Sequence, residues 1–121
     1  MNRVSEGTIL RRVMRAMSDA GARMFRNNVG ALKTEDGRMV RYGVCNPGGS
    51  DLIGWRSRVI DEYDLGKTIA QFVACEVKAA DGVLTHEQRQ FLEVVRDSGG
   101  IAILARTSDE AISKLNNGGG I

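Results

Sequence analysis

Phe72-Val73-Ala74-Cys75-Glu76-Val77-Lys78 narrows what this chain can fold into more than any other stretch: an apolar run that closes on an acid, one spacer and a base. A strand sends alternate side chains to opposite faces, so Glu76 and Lys78 share one face and Val77 turns to the other. Upstream, Asp51 closes the glycine-rich turn Asn46-Pro47-Gly48-Gly49-Ser50, just before a second apolar run. The spacing predicts strands over 51–60 and 69–78, joined by the charged connection 61–66. Such neighbours most simply pair antiparallel, which would bring Asp51 and Glu76 to one sheet edge.

The rest of the chain supplies helices and further strands. Residues 4–20 read as an amphipathic helix with Ile9, Leu10, Val13, Met14 and Met17 at helical spacing, Arg11, Arg12 and Arg15 largely off that stripe, and Gly21 as its stop. Residues 22–28 and 29–34 look extended, and Glu35-Asp36-Gly37 is a hairpin turn into 38–42. Thr85-x-x-Gln88 has the form of a capping box ahead of an apolar face of Phe91, Leu92, Val94 and Val95, ended by Gly99-Gly100. Ile101 to Ala105 is a short buried strand, and Thr107-x-x-Glu110 caps a last helix running to about Leu115. The expected class is α/β, a mixed β-sheet flanked by helices in the order α-β-β-β-α-β-α. A length of 121 residues fits one domain over 1–115, with 116–121 as a flexible tail.

Composition removes several function classes. No apolar run approaches the roughly 20 residues that cross a bilayer, and no signal-like core follows the N-terminal arginines. Two cysteines outside any C-x-x-C pair and a single histidine, His86, leave no zinc site to build. The cell interior is therefore expected. Residues 1–50 hold nine Lys/Arg against four Asp/Glu, whereas 51–121 hold eight against eleven. A basic front half suits a phosphate-backbone binder, although solvated surface accounts for such a bias equally well.

Asp51 and Glu76 are a carboxylate pair able to fix a divalent cation, which polarises a phosphodiester and activates water. Mg²⁺ takes oxygen ligands and keeps several waters, so few carboxylates and a backbone carbonyl suffice. Lys78 could orient the water or neutralise charge growing on the phosphate. The bland alternatives are a strand-end ion pair for Glu76 and Lys78 and a turn-capping role for Asp51. Glu6 lies on the apolar stripe of the first helix, and Gln88 on that of the second. Both would face the sheet unless the helix dipole and the capping box account for them. Arg23, Arg26, Lys33, Arg38 and Arg41 could grip phosphates, and Arg26-Asn27-Asn28 adds amide donors. Tyr42 and Trp55 could stack on bases or simply be core. No Walker loop, dinucleotide fingerprint or Ser-His-Asp set occurs, so no nucleotide cofactor is expected.

Three joined stretches carry a resemblance: Gly48-Gly49-Ser50-Asp51-Leu52-Ile53-Gly54, then Phe72 to Lys78, then Leu84-Thr85-His86-Glu87-Gln88-Arg89-Gln90-Phe91-Leu92 with Gly99-Gly100. Together with Glu6 and Phe25-Arg26-Asn27-Asn28-x-Gly30 they resemble the virus-type replication-repair nuclease (VRR-NUC) domain of the PD-(D/E)XK nuclease superfamily, from about residue 5 to 112. The resemblance implies a restriction-endonuclease-like fold and a Mg²⁺- or Mn²⁺-dependent DNA endonuclease. It implies metal ligation by Asp51, Glu76 and the Val77 carbonyl, a helical acid at Glu6, catalytic support from Lys78 and a site role for Gln88. Stand-alone relatives imply a homodimer acting on branched DNA, such as Holliday junctions or flaps, in the cytoplasm of a bacterium or a phage-infected host. Ser50 stands where the superfamily's name has proline. A non-catalytic DNA-binding or regulatory module on the same fold is the alternative.

Overall fold

Ser5 opens the first helix: its hydroxyl accepts from the Thr8 N–H at 3.2 Å, satisfying one of the donors a helix N-terminus leaves unpaired. The structure, a computed structural model, describes residues 3–121. Its elements in chain order are α1 (Glu6–Asp19), β1 (Ala22–Arg26), β2 (Gly30–Lys33), β3 (Met39–Tyr42), β4 (Leu52–Arg56), a 3₁₀ turn (Glu62–Asp64), β5 (Val73–Val77), α2 (His86–Asp97), β6 (Ile101–Ala105) and α3 (Ser108–Asn116). The class is mixed α/β, with antiparallel and parallel pairing both present. Among the described residues no helix is long and apolar enough to cross a membrane. The chain's contacts fall into two compact units, one ending at Arg58 and one running from Val59 to Ile121, a finer division than the single domain over 1–115 expected from length.

In the first unit α1 packs beside β1. Leu10, Met14 and Met17 are half-buried, while Ile9 and Val13 stay exposed, so the apolar stripe is narrower than its spacing suggests. Glu6, expected to face inward on that stripe, is exposed in the first turn, where the helix dipole favours a carboxylate. β1 pairs antiparallel with β4, Arg23 opposite Trp55 and Arg26 opposite Leu52. Phe25 and Trp55 pack with ring centroids 5.4 Å apart. At Gly54 any Cβ would run into the Arg23 carbonyl, so the close approach of the two strands requires glycine. β2 and β3 form the expected hairpin, and its turn carries a local network. The Thr34 hydroxyl donates to the Asp36 carboxylate and, with help from Arg38, holds its pKa below the usual carboxylate range.

In the second unit β5 and β6 are parallel, from Val73 opposite Ile101 to Val77 opposite Ala105. Parallel neighbours need a crossover, and α2 supplies it. β6 is buried along almost its whole length, and Ile101, Ala102, Ile103 and Ala105 with Leu92 and Val95 make the core. A strand covered on both faces reads as a continuous apolar run, which is how Ile101 to Ala105 reads. Gly99 turns the chain with φ 100°, and a Cβ on Gly100 would crowd Val95 and the Phe72 carbonyl.

Two expectations change here. The strands foreseen over 51–60 and 69–78 are shorter, and each takes another partner: β4 joins β1, and β5 joins β6. The tail expected to be loose is docked, with Leu104 N–H donating to Gly120 O and Gly120 N–H to Ala102 O, both at 2.8 Å. Ile103 is 2 % exposed, so Ile103→Ala should destabilise the protein by about 2–5 kcal/mol, read as a lower urea midpoint.

Candidate active site

The capping box foreseen at Thr85-x-x-Gln88 is present and sets the chemistry around Glu76. Thr85 Oγ1 accepts from the Gln88 N–H at 3.1 Å, and the Thr85 N–H donates to Gln88 Oε1 at 3.0 Å. An amide has one carbonyl end and one NH₂ end. With its oxygen held by Thr85, the NH₂ faces β5, where Nε2 donates to Glu76 Oε1 at 3.0 Å. A glutamate at 88 would close the same box but confront Glu76 with a like charge.

β5 supplies the partners. Ala74, Glu76 and, just beyond the strand, Lys78 are half-buried on one face, and Val73, Cys75 and Val77 are exposed on the other. Lys78 Nζ stands 3.7 Å from Glu76 Oε1, with side chains 20 % and 33 % exposed. The Lys78 N–H donates to Ala105 O at 3.1 Å, extending the ladder past Val77 and fixing where the lysine departs. Beyond it, Arg106 Nη1 donates to the carbonyls of Ala79 at 2.5 Å and Gly82 at 2.7 Å. Those bonds hold the turn that follows Lys78, a role nothing in the local sequence signals. The cap foreseen at Thr107-x-x-Glu110 is present, with Thr107 Oγ1 accepting from the Glu110 N–H at 3.1 Å, and the Glu110 carboxylate accepts from the Arg106 N–H at 2.8 Å.

The first unit carries Asp51, and Asn27 anchors the segment before it. Asn27 Nδ2 donates to Val44 O and Ser50 O, both at 3.0 Å, its Oδ1 accepts from the Val44 N–H at 2.8 Å, and its own N–H donates to Asp51 O at 2.8 Å. It is the buried polar residue among those described. Asn27 was expected to contact nucleic acid, but every donor and acceptor of its side-chain amide already serves the backbone, so it positions the loop leading to Asp51. A Cβ on Gly49 would strike the Val44 carbonyl and crowd Asn27 Nδ2, which explains a glycine there. Asn46 adds a second tie through Nδ2 to Gly30 O at 2.6 Å and Tyr42 O at 2.9 Å.

Asp51 lines a cleft of about 570 Å³ with Leu10, Arg26, Asn28 and Tyr42. The Tyr42 ring lies over Gly30, where a Cβ would collide with it. Glu6 precedes Leu10 by one turn on the same face of α1. The other foreseen cations spread out. Arg26 lines this cleft, Arg23 lines another beside α1, Lys33 and Arg41 are exposed on the hairpin, and Arg38 pairs with Asp36 at 2.9 Å. Trp55, foreseen as a base-stacking candidate, packs on Phe25.

Glu6 and Asp51 in the first unit, and Glu76 in the second, each offer carboxylate oxygens, the donor type a hard cation takes. Within each unit, among the described residues, no three Asp, Glu, His or Cys side chains form a preformed cage. Mg²⁺ does not require one: one or two carboxylates with waters and substrate phosphates are its usual shell. The contacts that Gln88 and Lys78 make with Glu76 both fall on Oε1.

A family model described as the VRR-NUC domain matches residues 6–109. No match was found among curated proteins or among solved structures. Thr85→Ala removes the cap and should lower stability by about 1 kcal/mol. Asn27→Ala, which strands backbone groups of Val44 and Ser50, should cost about 2 kcal/mol, with faster hydrogen exchange at the Val44 amide. Urea denaturation and exchange measured by NMR check both.

Proposed function

The chain belongs to the VRR-NUC family, a nuclease-type domain, and on that premise we propose that it is a Mg²⁺- or Mn²⁺-dependent endonuclease that hydrolyses phosphodiester bonds in branched DNA. The observation that carries the reading is the Glu76–Lys78–Gln88 arrangement: a carboxylate oriented by a fixed amide, with an ammonium at 3.7 Å. A strand-end ion pair alone would not need the capping box to aim an NH₂ at the acid.

Asp51 and Glu76, with Glu6 and the Val77 carbonyl, are the residues that would hold the ion. When bound, such an ion supplies Lewis-acid charge at the scissile phosphate. The remaining steps belong to side chains. Gln88 donates to Glu76 Oε1 and so keeps the carboxylate from rotating. Lys78 keeps its ammonium on the same face of β5, where it can orient the attacking water and offset negative charge as the phosphorus becomes five-coordinate. Arg26 and Asn28, in the Asp51 cleft, offer donors for the flanking phosphate.

Holliday junctions and flaps are the substrates proposed. A two-fold junction is best met by two copies related by the same symmetry, so a homodimer is part of the proposal. The test is a labelled four-way junction, a flap and plain duplex, each incubated with Mg²⁺, Mn²⁺ or EDTA. Cutting of the branched substrates in the metal arms alone is expected. Glu76→Ala and Lys78→Ala should each slow turnover by about 10²-fold or more, with DNA affinity within about threefold of the unaltered protein. Binding without cutting in either metal would point to a non-catalytic module, and cutting that survives both Asp51→Ala and Glu76→Ala would refute the mechanism.

A further inference from the structure

α1 and β1 enclose a second cleft of about 660 Å³, lined by Arg11, Arg15 and Arg23 with Met14, Ala22 and Met24 among its other residues. No carboxylate lines it. Among the described residues none of the three arginines forms an ion pair. Arg11 makes one side-chain contact, Nη2 to Thr8 Oγ1 at 3.3 Å. Three like charges around one depression repel each other. Two exposed arginines elsewhere are paired, Arg38 with Asp36 and Arg96 with Asp97.

The cleft's position says what would compensate. Leu10 of α1 and Arg26 of β1 belong to the Asp51 cleft, while Arg15 of α1 and Arg23 of β1 belong to this one. Both depressions therefore border α1 and β1. Arg23 and Arg26, three positions apart on β1, face opposite sides of the strand, so each serves its own cleft. Guanidinium forks match phosphate oxygens, and the methionines between them offer an apolar floor for deoxyribose.

We infer that the Arg11–Arg15–Arg23 cleft is a phosphodiester-binding groove that grips a DNA arm flanking the strand that lies at Asp51. This rests on the proposed nuclease reading and extends it. The scissile strand is met at Asp51 and its neighbouring duplex by α1, in a sequence-independent way, as suits a protein that selects shape.

The experiment measures affinity for a fluorescent 30-base-pair duplex and a four-way junction across a salt series in EDTA, so that it does not depend on cutting. Each lost phosphate contact should flatten the log–log salt slope by about 0.9. Arg15→Gln is expected to show that change, and the Arg11→Gln/Arg15→Gln/Arg23→Gln protein a flattening of about 2 or more with roughly tenfold or greater weakening. Arg12→Gln removes the same charge from the same helix outside the cleft and should do neither, while Arg15→Lys should keep most of the slope. All four side chains are exposed, and thermal melting confirms that the variants fold. Equal losses for Arg12→Gln and Arg15→Gln would reduce the effect to net charge and overturn the groove. So would unchanged DNA binding by the triple variant. A protein that binds through the groove yet cuts nothing in Mg²⁺ or Mn²⁺ would refute the nuclease proposal and leave the groove standing.

Discussion

Two reciprocal hydrogen bonds between Thr85 and Gln88 start helix α2, and the orientation of the Glu76 carboxylate beside the Lys78 ammonium follows from them. Gln88 is thus constrained twice, by the helix it caps and by the strand it faces. The capping role demands a carbonyl oxygen at that position, and Glu76 demands a donor. Glutamine alone among the residues that close a capping box supplies both. Loss of the helix start would disturb the acid on β5 although no residue of the strand had changed.

What the sequence disclosed is what depends on local order. The capping box, the hairpin turn at residues 35–37, the strand 101–105 and the shared face of Glu76 and Lys78 are all set by neighbours within a few positions, and all are present. Strand partnership is not local. Neighbouring strands in a chain often pair, which argued for 51–60 with 69–78. β6 instead needs cover along its length and takes β5 through the α2 crossover, while β4 fits β1 closely because Gly54 has no side chain. The exposure of Glu6 was hidden for a similar reason, since spacing gives the direction of a stripe but not how much of it meets a partner.

The anchoring residues were the least visible. Asn27 ties to Val44 and Ser50, 17 and 23 positions away, and Arg106 reaches back 27 and 24 positions to Ala79 and Gly82. Nothing in residue type separates an asparagine that serves the backbone from one that meets a ligand. Burial of Asn27 is the deciding fact, and burial is a property of the fold. The functional candidates were therefore legible as chemistry, whereas the side chains that hold them in place were not.

The docked C-terminus bears on the protein's solubility. A strand as apolar as β6 with an open side presents unpaired N–H and C=O groups, a template on which another chain can add itself. β5 closes one side, and the backbone of Gly119 and Gly120 lies along the other, where a Cβ on Gly119 would crowd Ala102. A run of glycines that carries no packing side chain thus works as an edge guard, admitted there because it is bare.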